Sequence, residues 1–156
     1  MRVAVAGTFG PIHDGHRALF ETALEFGDDG VVVALTSDDM ATASRTRRVP
    51  PVADRRAAVR AALDASDRWD RDFEFRTLEG PHDVAGTDAD LDALVVSPET
   101  MDELPPINDE RRDRELDPLL GLVVPFVEAE DGERISSTRL VASEVDEHGV
   151  LTGEES

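Results

Sequence analysis

Residues 2–16 read RVAVAGTFGPIHDGH and predict a strand, a loop and the start of a helix in direct succession. Arg2 to Ala6 has the composition of a short buried strand, and Gly7 to His13 is a loop rich in turn residues. Asp14 can cap a helix that runs to about Phe26, where Gly27 is well placed as its C-terminal stop. The stretch therefore predicts the first β–loop–α unit of an α/β protein.

The remainder of the chain repeats this alternation. Val31 to Thr36 is a continuous apolar run, typical of a strand that is covered on both faces. Further strands are predicted at 73–78, 91–97 and 119–127, and helices at 52–65, after Pro98 with a weak point at Pro105-Pro106, and from Ser136 to about Gly149. The pattern predicts one α/β domain over residues 1–149, with a short tail at 150–156. Its fold is a doubly wound, Rossmann-like parallel sheet with helices on both faces.

Length and composition exclude several classes of protein. The 156 residues fit a single domain, and no apolar run is long enough to span a membrane. The apolar stretch at the N-terminus is a strand opening, too short for a signal peptide. Without cysteine, the chain has neither disulfides nor a thiolate metal site. These features predict a cytoplasmic protein.

The charge of the chain is strongly negative. Sixteen basic residues, all of them arginine, stand against 35 acidic residues and give a net charge of −19. Such a surface repels nucleic acid and anionic lipid, so neither partner is expected. Like charges repel over about 10 Å at 0.1 M salt but only about 3 Å at 1 M. Molar salt would therefore weaken the repulsion between acidic side chains that opposes the compact state. The complete lack of lysine favours a halophilic protein over an ordinary acidic one.

The first loop carries two histidines at a predicted helix start. His13 and His16 lie three residues apart, and both imidazoles can donate N–H groups to an anion beside the helix dipole. Gly15 lies between them and would let a phosphate approach the backbone closely. The sequence is neither G-x-G-x-x-G nor a P-loop, and the simpler alternative is an ordinary connection with solvated histidines. Ligands of doubly wound folds bind beyond the carboxyl ends of the strands, which favours function.

A second cluster, ISSTR at 135–139, precedes the predicted last helix. Ser136 or Ser137 can cap that helix, and the hydroxyls, amides and Arg139 would bind an anion. Alone, such a sequence is usually a simple cap. The densest positive run of the chain comprises Arg45, Arg47 and Arg48, and we interpret it as phosphate-binding rather than as a solvated loop.

Together the two clusters resemble the cytidylyltransferase-like nucleotidyltransferases, which have an H-x-G-H loop early and an I-S-S/T-T-x-R helix start late. Here these motifs are His13–His16 and Ile135–Arg139. Segments at 35–41, 95–100, 107–108 and 130–132 are similar to blocks of the archaeal-type phosphopantetheine adenylyltransferases. The resemblance implies adenylyl transfer from ATP to 4′-phosphopantetheine, giving dephospho-coenzyme A and pyrophosphate. Mg²⁺ is expected to be carried with ATP and held by phosphate oxygens and few protein carboxylates.

The resemblance further implies roles for individual residues. Catalysis would fall to His16, at the α-phosphate, with His13 and Arg139 assisting. ATP and its phosphates would contact Thr8, Phe9, Gly15, Ser136, Ser137, Thr138, Val96, Ser97 and Thr100, and the acceptor would contact Arg45, Arg47 and Arg48. Gly10 and Val141 depart from the family pattern, which has Asp at the first position in many members and a basic residue at the second in a number of them.

Alternatives remain open at this level. Another acceptor, such as FMN, nicotinamide mononucleotide or a cytidylyl-accepting alcohol, would need the same phosphate loops, and a non-catalytic ATP sensor would share them. The oligomeric state is not fixed by the sequence, which is compatible with a homo-oligomer. Among weaker candidates, we interpret His82 as a loop residue, His148 as a cation at a helix C-terminus, and Arg111, Arg112 and Arg114 as a solvated helix face.

Overall fold

The computed structural model describes residues 1–43, 49–80, 82–133, 135, 140 and 146–151. Within these ranges one parallel sheet has the strand order β3-β2-β1-β4-β5. Its strands are β1 (Val3–Gly7), β2 (Val31–Thr36), β3 (Phe73–Leu78), β4 (Ala93–Val96) and β5 (Leu120–Val123). The chain moves outward from β1 to β3 and then returns to the other side of β1, so the order switches between β1 and β4. A crevice for ligands is expected at this switch, beyond the carboxyl ends of the two strands.

Four helices and a short 3₁₀ turn accompany the sheet in the described ranges. The helices are α1 (Asp14–Phe26), α2 (Asp38–Ala43), α3 (Val52–Ser66) and α4 (Leu104–Asp113), and the turn at Met101–Glu103 leads into α4. Helix α1 has the predicted bounds, and the N–H of Gly27 donates to the Ala23 carbonyl at 2.8 Å to close its last turn. None of the helices in the described part of the chain is both long and apolar enough to cross a membrane.

Both faces of the sheet are covered, as the sequence predicted. Every residue of β2 is buried, because its alternate side chains pack into two different cores. Val31, Val33 and Leu35 face a cluster with α1 and α3, while Val32 and Ala34 face a second cluster with α4. This arrangement confirms the doubly wound α/β architecture and explains why β2 has no polar side until Thr36.

Several local predictions were wrong. The N-cap of α1 is His13 rather than Asp14, which is the first helical residue. Pro105 lies in the first turn of α4, where an N–H is not needed, so the proline pair starts this helix instead of interrupting it. The polar stretch after β2 contains α2, which was not predicted.

The C-terminal region agrees with the prediction at Leu140, which is helical, but differs from it at the predicted end of the helix. Residues 146–149 form a turn and not the end of a helix. The Asp146 carboxylate accepts hydrogen bonds from the N–H groups of His148 and Val150, and Gly149 has a positive φ of 82°. A carboxylate that binds the backbone two residues on offers the chain a turn in place of a helix.

Candidate functional site

The loop after β1 is held in a constrained conformation. Phe9 has a φ of 54°, a region that non-glycine residues adopt at a cost, and its side chain is buried. The Phe9 ring meets His16 edge-on at 5.2 Å between centroids and Phe20 at 5.1 Å. This ring therefore fixes one side of the His16 imidazole and occupies the space beside Gly7.

The two histidines form a stacked pair at the start of α1. Their ring centroids are 3.8 Å apart with an interplanar angle of 24°. Nδ1 of His13 accepts from the Gly15 N–H at 3.0 Å, and Nδ1 of His16 accepts from the His13 N–H at 3.3 Å. A neutral imidazole that accepts through Nδ1 carries its proton on Nε2. Both rings are thus oriented to donate through Nε2.

The first amides of α1 are engaged within the protein. The Asp14 N–H donates to the Glu147 carbonyl at 2.8 Å, and the Gly15 N–H donates to His13. A Cβ atom at position 15 would lie 2.7 Å from Cε1 of His13, so the glycine makes room for the imidazole. Anion binding by the two histidine rings and phosphate binding by Gly15 both stay predictions.

A polar cluster lies behind the loop. Arg55 of α3 is 1% exposed, and its Nη1 donates to the Thr8 carbonyl at 3.0 Å and to the Thr36 hydroxyl at 3.2 Å. Its Nη2 forms an ion pair with Asp38 at 3.1 Å. The sequence analysis missed Arg55, although a signal exists. It lies four and eight residues before Val59 and Leu63, on the same buried stripe of α3.

The turn after β4 lies beside the first loop, because β4 pairs with β1 through Val5 and Val95. Val96 is buried, and the Ser97 N–H donates to the Thr100 hydroxyl at 3.0 Å. The N–H of Met101 donates to the Ser97 carbonyl at 2.9 Å, which closes the turn. The structure thus brings Val96, Ser97 and Thr100, which were predicted to contact ATP, to the switch in strand order.

The described C-terminal segment returns to the start of α1. His148 Nδ1 lies 3.0 Å from the Asp14 carboxylate, and the Arg17 guanidinium bridges Asp14 at 2.9 Å and Glu147 at 2.7 Å. The prediction of His148 as a helix C-terminal cation was wrong, since it lies in a turn against the N-terminus of another helix.

Other predicted residues fall elsewhere. Arg111 was predicted on a solvated face but is 1% exposed and donates to backbone carbonyls. His82 lies in a loop as predicted, and its imidazole contacts the Glu110 carboxylate. Eight predicted or discussed residues lie outside the described ranges: Arg45, Arg47, Arg48, Ser136, Ser137, Thr138, Arg139 and Val141.

Comparison with known proteins agrees with this geometry. The family model described as cytidylyltransferase-like matches residues 4–143. The chain belongs to this family. A phosphopantetheine adenylyltransferase of Methanopyrus kandleri is 41% identical over 146 residues, covering 94% of this chain and 91% of the relative.

Two more relatives of the same name extend the match. The protein of Methanosarcina acetivorans is 37% identical over 98% of this chain and 97% of its own length. That of Archaeoglobus fulgidus is 36% identical over 96% of this chain and 98% of its own length. A crystal structure of a protein of unknown function from Archaeoglobus fulgidus has a TM-score of 0.68 at 31% identity, covering 80% of this chain and 89% of that one. Within the cytidylyltransferase-like family, the chain belongs to the archaeal-type phosphopantetheine adenylyltransferases.

Proposed function

We propose that the chain transfers an adenylyl group from ATP to 4′-phosphopantetheine, releasing pyrophosphate and forming dephospho-coenzyme A. The observation that carries the proposal is the stacked pair His13–His16, which lies after β1 at the switch in strand order. Both rings are set to donate through Nε2, which suits a phosphate-rich substrate. Near full-length similarity to adenylyltransferases for this acceptor supports the choice of reaction.

The reaction is an in-line displacement at the α-phosphorus of ATP. An oxygen of the acceptor phosphate forms the new P–O bond as the bond to the β-phosphate oxygen breaks, and pyrophosphate leaves with that electron pair. The acceptor phosphate has a second pKa near 6 and is largely ionised at neutral pH, so no general base is required. The protein contributes positioning and electrostatic stabilisation of the spreading charge.

His16 would provide that stabilisation. Its Nδ1 is engaged by the backbone of His13, and its ring contacts the Phe9 ring and stacks on His13, so its orientation is fixed before substrate binds. A donor that is already oriented needs no reorganisation when charge develops on the α-phosphate. His13, stacked on His16, would bind a neighbouring phosphate oxygen.

Mg²⁺ is expected to arrive with ATP. When bound it neutralises charge on the phosphate oxygens. Among the described residues no cluster of three or more His, Asp or Glu could hold a metal ion. The Asp38 carboxylate, which lies behind the first loop, accepts from Arg55 and from the Val52 N–H at 2.8 Å.

Pyrophosphate release tests the function and the acceptor together. The protein is mixed with MgATP in KCl and supplied with phosphopantetheine, FMN or nicotinamide mononucleotide in separate reactions. Release with phosphopantetheine alone is the expected result. Release with another acceptor would replace the substrate but keep the reaction class. If folded protein that binds ATP releases pyrophosphate with none of them, the chain is an ATP-sensing module and the proposal fails.

Adaptation to molar salt and a cytoplasmic location form a second part of the proposal. The chain carries a net charge of −19 with no lysine. We expect the melting temperature to rise as KCl increases from about 0.1 M to about 2 M, because the screening length falls severalfold. Sucrose, a neutral osmolyte, is the control for effects not caused by charge. A higher melting temperature in dilute buffer than in KCl would contradict halophilic adaptation.

A further inference from the structure

Arg55 joins three connections at the carboxyl end of the sheet. Its Nη1 donates to the Thr8 carbonyl, its Nη2 pairs with Asp38, and its Nε donates to the Pro50 carbonyl at 2.8 Å. The side chain has no exposed surface. A buried guanidinium with its N–H groups directed to fixed acceptors is a rigid tie, since its planar fork loses little freedom per bond.

One branch of this tie runs through hydroxyl groups. Arg55 Nη1 donates to the Thr36 hydroxyl at 3.2 Å, and Thr36 donates in turn to the Thr8 hydroxyl at 3.0 Å. The Thr8 hydroxyl oxygen therefore accepts from Thr36. The proton of the Thr8 hydroxyl can then be donated to a different acceptor. Both threonine side chains are buried, so competition from water is weak.

We propose that Arg55 and Thr36 are positioning residues for adenylyl transfer, which fix the Thr8 hydroxyl as a donor to a substrate phosphate. The inference rests on the proposed function, since it assigns the acceptor of the Thr8 proton to that substrate. Arg55 can only donate to Thr36, because a guanidinium cannot accept a hydrogen bond, and the Thr36 hydroxyl donates to Thr8. Without the Thr36 hydroxyl, the Thr8 hydroxyl can rotate, and its proton is no longer held in the direction of the substrate phosphate.

Thr36→Val and Thr36→Ser form the decisive pair. Valine keeps the shape of the side chain but removes the hydroxyl, whereas serine keeps the hydroxyl. We expect Thr36→Val to lower kcat/KM for ATP about tenfold, the effect of one misdirected hydrogen bond, and Thr36→Ser to stay within about threefold of the wild type. Equal kcat/KM values for the two variants, both with native melting temperatures, would overturn the proposal.

Arg55→Lys is compared with Arg111→Lys. Both arginines are 1% exposed, but Arg111 lies at the amino ends of the strands and donates to backbone carbonyls. Both variants keep a cation and lose the guanidinium fork. We expect both to lower the melting temperature and only Arg55→Lys to lower kcat/KM at a temperature where each is folded. An equal loss of kcat/KM in the two variants would overturn a specific role for Arg55.

ATP binding separates this inference from the proposed function. If the wild type releases no pyrophosphate with any acceptor, the proposed function fails. Calorimetric titration with MgATP still tests the hydrogen-bond chain from Arg55 through Thr36 to Thr8. We then expect Thr36→Val, and not Thr36→Ser, to weaken ATP binding. Equal ATP affinities of the two variants would overturn the role of this hydrogen-bond chain, whichever reaction the protein catalyses.

Discussion

Two arginines are fully buried in the part of the chain that the structure describes, and they lie at opposite ends of the same sheet. Arg55 lies under the connections that leave β1 and β2, and it contacts Thr8, Thr36 and Asp38. Arg111 lies under the connections that enter β4 and β5. Its guanidinium donates to the backbone carbonyls of Ala85 and Asp88 at 2.9 Å, of Leu91 at 3.4 Å and of Asp117 at 2.6 Å.

The two arginines differ in the hydrogen-bond acceptors that they contact. Burial lowers the pKa of the Arg111 guanidinium, and the carboxylates of Asp88, Asp117 and Asp92 oppose this shift. Its direct partners are carbonyls, so Arg111 fixes the path of the chain. Arg55 also holds a carboxylate and a hydroxyl, and through them it orients side chains. We therefore expect the carboxyl end of the sheet to serve ligand contact, as in other doubly wound folds, and Arg111 at the amino end to serve stability.

The largest expected effect lies at the carboxyl end, in His16→Ala. We expect kcat to fall by about 10²–10³, the usual result of losing one oriented donor to developing charge. The free energy of unfolding should change far less, because His16 is partly exposed and His13 still caps α1. Steady-state pyrophosphate release and urea unfolding measure the two quantities separately.

His148→Ala is the matched control for His16→Ala. His148 lies against the same helix start, in contact with Asp14, but its side chain is 61% exposed. We expect its removal to leave kcat within about twofold of the wild type, since exposed ion pairs contribute little. Wild-type turnover in His16→Ala would remove this residue from the mechanism, and an equal loss in both variants would mean that α1 itself had been disturbed.

The next effect is on stability and lies at the amino end. Arg111→Met leaves several buried carbonyls without their donor, and we expect a loss of about 3 kcal/mol in the free energy of unfolding. Urea denaturation, with its midpoint and slope, measures this loss. Turnover of the folded protein should be unchanged. A fall in kcat under native conditions would show that the two ends of the sheet are not separate in function.

The sequence was sufficient for the fold wherever one physical signal dominated. The unbroken apolar run of β2 has the length of a strand and indicated one buried on both faces, and Gly27 ended α1 as predicted. Predictions failed where two signals competed. Asp14 and His13 can both cap a helix, and only the space above Gly15 decides for the imidazole. Pro105 both breaks helices and starts them, and its position within α4 was not readable from the sequence.

For the site, the sequence identified residue types but not their partners. The spacing of His13 and His16 predicted an anion-binding pair, whereas the backbone bonds to both Nδ1 atoms became visible only in the structure. Arginine is usually exposed, so Arg55 and Arg111 were not expected in the core. Their burial depends on carbonyls and side chains that are distant in sequence: Thr8 is 47 residues from Arg55, and Ala85 is 26 from Arg111.

The smallest expected effect on stability comes from Gly15→Ala, in the first turn of α1. The new Cβ would lie 2.7 Å from Cε1 of His13, so the ring must move to reach ordinary contact at 3.4 Å or more. Losing the bond from the Gly15 N–H to His13 costs about 1 kcal/mol, while alanine in place of glycine within a helix returns about 0.5–1 kcal/mol. The melting temperature should therefore remain near that of the wild type.

The stacked histidine pair, in contrast, should lose its alignment in Gly15→Ala. We expect kcat to fall about tenfold, since small displacements of a positioned group are costly. Unchanged kcat at an unchanged melting temperature would mean that the His13 ring does not have to occupy its place above Gly15 for the reaction to proceed.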